Sequence, residues 1–171
     1  GRNALAPRVD WAAAIRALGA VLRPGGRVVL AEVVPRHGQR LYRLVDLAEL
    51  GQDLAARLQA AEEAIYTEPG DPMVRWDAPD LAAALEAAGF QQVRVETQQQ
   101  NYHQRITAGW LARWFETSGP GSRPSYAQRL AERLAPEELA AVQRLYYEQL
   151  KDHTVGWSST IAYLVATRPA D

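Results

Sequence analysis

The chain has no cysteine, so neither a disulfide framework nor a thiolate zinc site can form. It also lacks an apolar run of the ~18 residues that cross a bilayer, and it does not open with a basic segment followed by an apolar core. An excess of basic charge is absent, since the net charge is −1 and the pI is near 6.4. Domains dedicated to nucleic acids concentrate basic residues on one face. These absences argue against membrane and nucleic-acid roles and predict a single cytoplasmic domain over residues 1–171.

The common catalytic motifs are missing as well. The sequence shows no Ser-His-Asp spacing, no nucleophile elbow and no Walker phosphate loop, which excludes the usual hydrolase and nucleoside-triphosphatase interpretations. Its histidines, His37, His103 and His153, stand alone and without metal-ligand spacing. We therefore expect no metal site.

The pattern of segment Trp11–Arg36 predicts a helix, a turn and a strand in direct succession. Asp10 can cap the helix, and apolar residues then recur at helical spacing. Pro24-Gly25-Gly26 ends the helix, and a nearly continuous apolar run interrupted by Glu32 follows. Such a run is typical of a strand that is covered on both faces in a parallel sheet.

This helix, its LRPGG turn and the strand resemble the segment that leads into the fifth strand of class I S-adenosylmethionine (SAM) methyltransferases. Two further landmarks follow in the order of that family. DLAAALEAAGF (Asp80–Phe90) is similar to the family's helix that ends in Gly-Phe, with a strand directly after it, and IAYLVATRP (Ile161–Pro169) is similar to its last strand. The resemblance covers the second half of the family's fold.

The resemblance implies an α/β fold with an incomplete Rossmann-like methyltransferase sheet. Its strands should lie near residues 27–34, 92–100 and 159–168, with the last strand antiparallel and placed between the other two. Two helical insertions, at about 39–66 and 104–153, interrupt the pattern. In the family, helices at the first of these places often cover the active site.

The first half of the family's fold should carry a glycine-rich loop after a strand and a ribose-binding acid. The only close glycine clusters are Gly25-Gly26 and Gly119-Pro120-Gly121, and neither follows a strand pattern. We therefore expect the C-terminal portion of a longer SAM-dependent methyltransferase-like protein. SAM would bind the intact parent, and this chain alone would be inactive.

A second hypothesis is a non-catalytic domain for assembly or interaction, appended to a larger multidomain protein such as a AAA+ ATPase fusion. It rests on analogy, because fold does not settle function. The two hypotheses differ in what lies upstream and in how the fragment behaves by itself.

The strand near Val28–Val34 would have an open edge if the preceding strands are absent. An apolar open edge invites pairing with another chain. We expect either a homodimer through this strand or cover by the chain's own N-terminal segment, with the missing N-terminal region of the parent as the other partner.

Candidate site residues follow from the position of ligands in open α/β sheets, outside the carboxyl ends of the strands. Glu32 lies near that end, where it would contact substrate or cofactor or pair with Arg36. Arg36 and His37 are in the loop that follows, where a histidine can act as a base or remain a solvated loop residue. Trp110 and Trp114, four residues apart, fit packing in the core better than stacking on a ligand.

Overall fold

The computed structural model describes residues 1–5, 10–67, 74, 76–119 and 123–170. Pro120 and Gly121, part of the second glycine cluster, lie outside the described residues. The helices are α1 (Trp11–Val21), α2 (Gly51–Thr67), α3 (Ala78–Ala87), α4 (Ala108–Phe115), α5 (Tyr126–Leu130) and α6 (Pro136–Leu150). The strands are β1 (Arg27–Val33), β2 (Gln91–Arg105) and β3 (Thr154–Thr167), and short 3-10 turns occupy Pro35–His37, Leu41–Leu44 and Leu47–Leu50.

The chain forms two compact units. The first comprises Gly1–Gly38, Tyr66–Gln100 and Ser158–Asp171, and the second comprises Gln39–Ile65 and Asn101–Trp157. The strands β2 and β3 each contribute residues to both units, and each is longer than predicted. The prediction ended β2 where apolar alternation fades, but a β-ladder is held by backbone hydrogen bonds and continues through polar residues. In β3 it missed the alternation of Val155 and Trp157.

The three strands form one sheet in the order β1-β3-β2. The predicted position of the last strand, between the other two, is confirmed. It runs antiparallel to β1, with Arg27 opposite Thr167 and Val33 opposite Ile161.

The N-terminal segment lies on the outer edge of β1. Arg2 forms a parallel bridge with Ala31. The Ala31 N–H donates to the carbonyl of Gly1 at 3.0 Å, and the Asn3 N–H donates to the Ala31 carbonyl at 2.9 Å. The Gly1 ammonium donates to the Val29 carbonyl at 2.8 Å. The chain's own N-terminal segment therefore covers this edge, which is one of the two expectations, and the homodimer through β1 stays a prediction.

The predicted cap of α1 is present, since the Ala13 N–H donates to the Asp10 carboxylate at 2.8 Å. The other end of α1 is held by Arg168, whose guanidinium donates to the carbonyls of Gly19 and Leu22. A cation at a helix C-terminus satisfies carbonyls that have no partner within the helix and opposes the helix dipole.

The core of the first unit lies on one face of the sheet, where α1 and α3 pack against alternate residues of the strands. On the opposite face Val29 is 56% exposed and Tyr163 is 39% exposed. The prediction of a strand covered on both faces is therefore wrong for the described part of the chain. The buried core residues are Leu5, Ile15, Val28, Leu30, Val34, Trp76, Leu81, Leu85, Phe90, Ala162, Leu164 and Ala166.

The second unit has its own helical core. Pro136 stands at the start of α6, with Glu137 and Glu138 in its first turn, as the sequence predicts. Apolar side chains of α2, α4, α5 and α6 form the buried cluster, which consists of Leu41, Leu58, Ala61, Ile106, Leu111, Phe115, Ala127, Leu130, Leu134, Val142, Tyr146 and Leu150. No described helix is long and apolar enough to cross a membrane.

Candidate functional site

The carboxyl end of β1 leads directly into a tight turn that carries the candidate residues. The Val34 N–H donates to the Thr160 carbonyl at 2.8 Å, which continues the pairing with β3. Pro35 then begins a 3-10 turn, in which the N–H of His37 donates to the Val34 carbonyl at 3.1 Å. The turn fixes the position of His37 at this end of the sheet.

His37 pairs with Asp77, the residue immediately before α3. The imidazole Nε2 lies 2.7 Å from the carboxylate Oδ2, and the side chains are 48% and 28% exposed. Because a carboxylate accepts, the Nε2–H is the donor and Nδ1 is the basic nitrogen of the neutral ring. Within the described residues His37 Nδ1 makes no hydrogen bond. This arrangement leaves a base in partly exposed surroundings, oriented by a carboxylate.

Asp77 has a second role as the N-cap of α3. Its Oδ1 accepts the Ala78 N–H at 2.7 Å, and its own N–H donates to Asp80 at 2.8 Å in a capping box. Burial opposes ionisation of Asp77, but the hydrogen bonds from His37 and Ala78 and the nearby charge of Arg36 outweigh it and lower the pKa. Asp77 is therefore an anion near neutral pH.

The three predicted site residues separate into two groups. His37 and Arg36 both lower the pKa of Asp77, the first by a hydrogen bond and the second by its charge. Glu32 is fully buried and bonds to the N-terminal segment instead. The Glu32 carboxylate accepts the Ala4 N–H at 2.7 Å and the Leu5 N–H at 3.2 Å. In this structure Glu32 is the hydrogen-bond acceptor for two backbone N–H groups, and hydrogen bonds to a carboxylate are stronger than those to a neutral acceptor.

Asp77 was not among the predicted site residues. The sequence prediction began the third helix at Asp80, although the helix begins at Ala78 and ends at Ala87. The signal was present in Asp77-Ala78-Pro79, because an aspartate followed by proline in the first turn marks a helix start. Nothing in the sequence, however, indicates its pairing with His37.

The second unit contains a buried carboxylate that the sequence prediction did not single out. Glu62 of α2 is fully buried, and its carboxylate accepts the backbone N–H of Leu41 at 2.5 Å and of Tyr42 at 3.0 Å. The Tyr126 hydroxyl donates to the same carboxylate at 2.6 Å and lies 3.3 Å from the Tyr146 hydroxyl. Glu62 thus holds the first turn of the 3-10 segment Leu41–Leu44 against α2.

The ionisation of this cluster is dominated by burial. Desolvation raises the pKa of Glu62 despite the opposing hydrogen bonds from Tyr126, Leu41 and Tyr42. Desolvation and the proximity of Glu62 also raise the pKa of Tyr126 and of Tyr146. Both tyrosines are therefore protonated at neutral pH and serve as hydroxyl groups.

The tryptophans pack against one another and against the second core, as the sequence favours. The ring centroids of Trp110 and Trp114 are 5.9 Å apart, and Trp157 lies 5.5 Å and 6.2 Å from them. Arg113 lies over the Trp110 ring at 4.8 Å. Rings this close to each other leave no gap for a planar ligand between them.

The glycines of the LRPGG turn are explained by the turn itself. Gly25 has φ of +70°, and a Cβ on Gly26 would lie 2.7 Å from the Arg23 carbonyl oxygen. The turn therefore needs both glycines without any ligand. Among the described residues no loop offers a nucleotide-like ligand a glycine-rich cradle after a strand, so they do not fit SAM by themselves.

The histidines do not assemble a metal centre, and no cluster of metal-binding side chains occurs in the described ranges. His37 is bonded to Asp77, and His153 Nδ1 lies 2.8 Å from the Gln149 carbonyl.

Comparisons with known proteins place the chain near methyltransferase structures at low similarity. A Bacillus halodurans protein, solved as a candidate methyltransferase, aligns with 98% of this chain and 67% of its own at 13% identity and a TM-score of 0.45. Phosphoethanolamine N-methyltransferase 2 of Haemonchus contortus, solved with phosphomonomethylethanolamine and S-adenosylhomocysteine, aligns with 98% of this chain and 32% of its own at 13% identity and a TM-score of 0.39. No family model and no curated protein sequence matches the chain.

Proposed function

We propose that this chain is the C-terminal, acceptor-side portion of a SAM-dependent methyltransferase-like protein, with His37 and Asp77 at the acceptor site. The observation that carries the proposal is the His37–Asp77 pair at the carboxyl end of β1, with Nε2 2.7 Å from Oδ2. Ligands of open α/β sheets bind at this end.

The connection around β1 supports this placement. The outer edge of β1 carries an isolated parallel bridge to Arg2, and Val29 and Tyr163 are exposed on the far face of the sheet. Further polypeptide covering that face would complete the sheet, and the LRPGG turn and the Gly-Phe helix end agree with a methyltransferase as the parent.

The proposed chemistry of this chain is confined to the acceptor. Asp77 holds the imidazole through Nε2, and Nδ1 of His37 would take a proton from a nucleophilic small molecule bound over the end of β1. Arg36, exposed in the same turn, would contribute positive charge to an anionic acceptor. SAM would supply a transferable methyl group, held by residues other than those described in this chain.

The test compares the protein from the full reading frame with the isolated 171-residue chain. We expect calorimetry to detect SAM binding to the former and none to the latter. Release of S-adenosylhomocysteine with a panel of small nucleophiles then reports turnover. In the full-length protein His37→Gln should lower kcat by about 10²-fold or more with SAM affinity unchanged. His103→Gln, on exposed β2, is the matched control.

The outcomes separate the parts of the proposal. SAM binding at micromolar Kd by the isolated chain would contradict its assignment as the acceptor-side portion. A full-length protein that binds no SAM would refute the methyltransferase assignment. Equal turnover of His37→Gln and His103→Gln would remove His37 from the site and leave the family assignment standing.

The alternative, a non-catalytic assembly domain such as one appended to a AAA+ ATPase, is favoured by one observation. The outer edge of β1 is occupied by Gly1, Arg2 and Asn3, and the Glu32 carboxylate holds the segment that follows. A domain built to stand alone would protect its edge in this way. A Walker-type loop encoded upstream, with no SAM binding by the full protein, would support it.

A further inference from the structure

The strand β2 is the outer strand of the sheet and is unusually open. It spans Gln91–Arg105, and within the described residues it borders β3 only. Almost all of its residues are exposed, and Val93, Val95, Gln100 and Gln104 alone are half-buried. A long edge strand presents a row of unpaired N–H and carbonyl groups, which act as a template for another strand.

The second half of this edge lacks the devices that keep edge strands apart, since the strand contains no proline and Thr97–Gln104 contains no aspartate, glutamate, lysine or arginine. In the first half the charged residues are Arg94 and Glu96, which have opposite signs. This half therefore favours a second strand that places the two signs opposite each other.

The side chains of β2 alternate between the two faces in a way that suits pairing with a copy of the same strand. Val93 and Val95 pack against the first core, whereas Arg94 and Glu96 are exposed on the other face. In an antiparallel pair centred on Val95, Arg94 of each copy lies opposite Glu96 of the other. Residues directly opposite each other in an antiparallel pair have Cα atoms about 4.5–5.5 Å apart.

From this we infer that two copies of the chain pair through β2, with the two-fold axis at Val95. The paired segment is Val93–Thr97, which lies entirely in the first unit. Such an interface is isologous, because the same residues serve both partners. A register moved to centre on Thr97 places Arg94 opposite Gln100 and Glu96 opposite Gln98, so both charges lose their partners. Charge complementarity therefore selects the second copy and its register.

Reversing the charges tests the pairing. We expect the wild-type chain to dimerise in sedimentation equilibrium, and Arg94→Glu or Glu96→Arg to raise the dimer Kd about tenfold or more by creating two like-charge contacts. The double variant R94E/E96R restores both pairs and should return the Kd to near wild type. Arg23→Glu, an exposed arginine outside the sheet, is the matched control and should leave the Kd unchanged.

Disulfide trapping tests the register directly, because the wild type has no cysteine. Positions 94 and 96 of opposite copies face each other, whereas 94 and its own symmetry mate are about 8 Å apart at Cα, too far for a disulfide. Oxidation of a mixture of R94C and E96C proteins should give a cross-linked dimer, and each protein alone should stay uncross-linked.

Three results would overturn the inference. The first is a wild-type chain that stays monomeric at every accessible concentration. The second is a dimer whose Kd is the same in R94E as in the wild type, which would assign the interface to another surface. The third is a dimer weakened by R94E that R94E/E96R does not restore.

Discussion

Replacing Glu62 by glutamine tests whether a buried side chain with two acceptor oxygens, rather than any polar group, holds the second unit together. The glutamine side chain has the same shape but only one acceptor oxygen. In the wild type one carboxylate oxygen accepts from Leu41, and the other accepts from Tyr42 and Tyr126. Whichever way the amide turns, its NH₂ group faces a backbone N–H that has lost its acceptor.

The size of the effect follows from that lost acceptor. Leaving one buried N–H without a partner costs about 1–3 kcal/mol. Tyr126 can rotate its hydroxyl to accept from the new NH₂ group, so its contact need not be lost. We therefore expect Glu62→Gln to lower the free energy of unfolding by about 1–3 kcal/mol where Glu62 is neutral, since no charge is then removed.

The pH dependence has a definite sign. Burial raises the pKa of Glu62 above its usual 4.5, so the folded chain holds this proton more tightly than the unfolded chain. The resulting stability is fully present below the unfolded pKa and is lost as the pH rises through the folded pKa. The substituted glutamine does not titrate, so the stability difference between wild type and variant should shrink as the pH rises.

Urea unfolding followed by tryptophan fluorescence measures this difference, for example near pH 4 and near pH 8. Subtracting the variant's free energy of unfolding from that of the wild type removes the contribution of every other titrating group. Glu148→Gln, on the exposed side of α6, is the matched control and should stay within about 0.5 kcal/mol at both pH values. A gap that widens with pH, or a Glu62→Gln variant as stable as Glu148→Gln at acid pH, would refute this account of the cluster.

Two further substitutions test the first unit. Glu32→Gln leaves the N–H of Ala4 or Leu5 without an acceptor. We therefore expect the free energy of unfolding in urea to fall by about 1–3 kcal/mol and these two amides to exchange hydrogen faster. Unchanged exchange of both amides would contradict the contact. Gly26→Ala places a Cβ 2.7 Å from the Arg23 carbonyl oxygen and should lower the free energy of unfolding by about 1–3 kcal/mol. Gly156→Ala, where a Cβ has no atom within 4 Å, is the control. Equal urea midpoints of the two variants would mean that the LRPGG turn does not need its second glycine.

Much of the fold follows from local sequence signals. Helix boundaries are marked by local backbone chemistry that involves few neighbours. The structure starts helices directly after Asp10 and at Pro136, and it ends α1 shortly before Pro24-Gly25-Gly26. The order of the strands came from a resemblance between short motifs. The length of β2 was underestimated because its second half is polar, and the hydrogen-bond ladder that extends it leaves no trace in side-chain hydropathy. The start of β3 was missed although Val155 and Trp157 alternate there with Thr154, Gly156 and Ser158, which is a strand pattern.

The candidate site was less accessible to sequence reasoning. Arg36 and His37 were identified by their place after an apolar strand, which depends only on local order. Their partner Asp77 is 40 residues from His37 in the chain and comes to it through the packing of α3 on the sheet. A single sequence contains the cap signal at Asp77 but not the contact, because the contact depends on the tertiary arrangement.

The two buried glutamates show why a carboxylate in an apolar run is ambiguous. Glu32 and Glu62 are both fully buried, and each accepts two consecutive backbone N–H groups, from Ala4 and Leu5 or from Leu41 and Tyr42. Two successive N–H groups in an irregular segment cannot both be satisfied by a neutral acceptor with one oxygen, whereas a carboxylate presents one oxygen to each. A glutamate buried in this way cannot reach a ligand unless the segment that it holds moves away. Chemistry at the end of β1 is therefore better sought at the partly exposed imidazole of His37 than at Glu32, although Glu32 is the more conspicuous residue in the sequence.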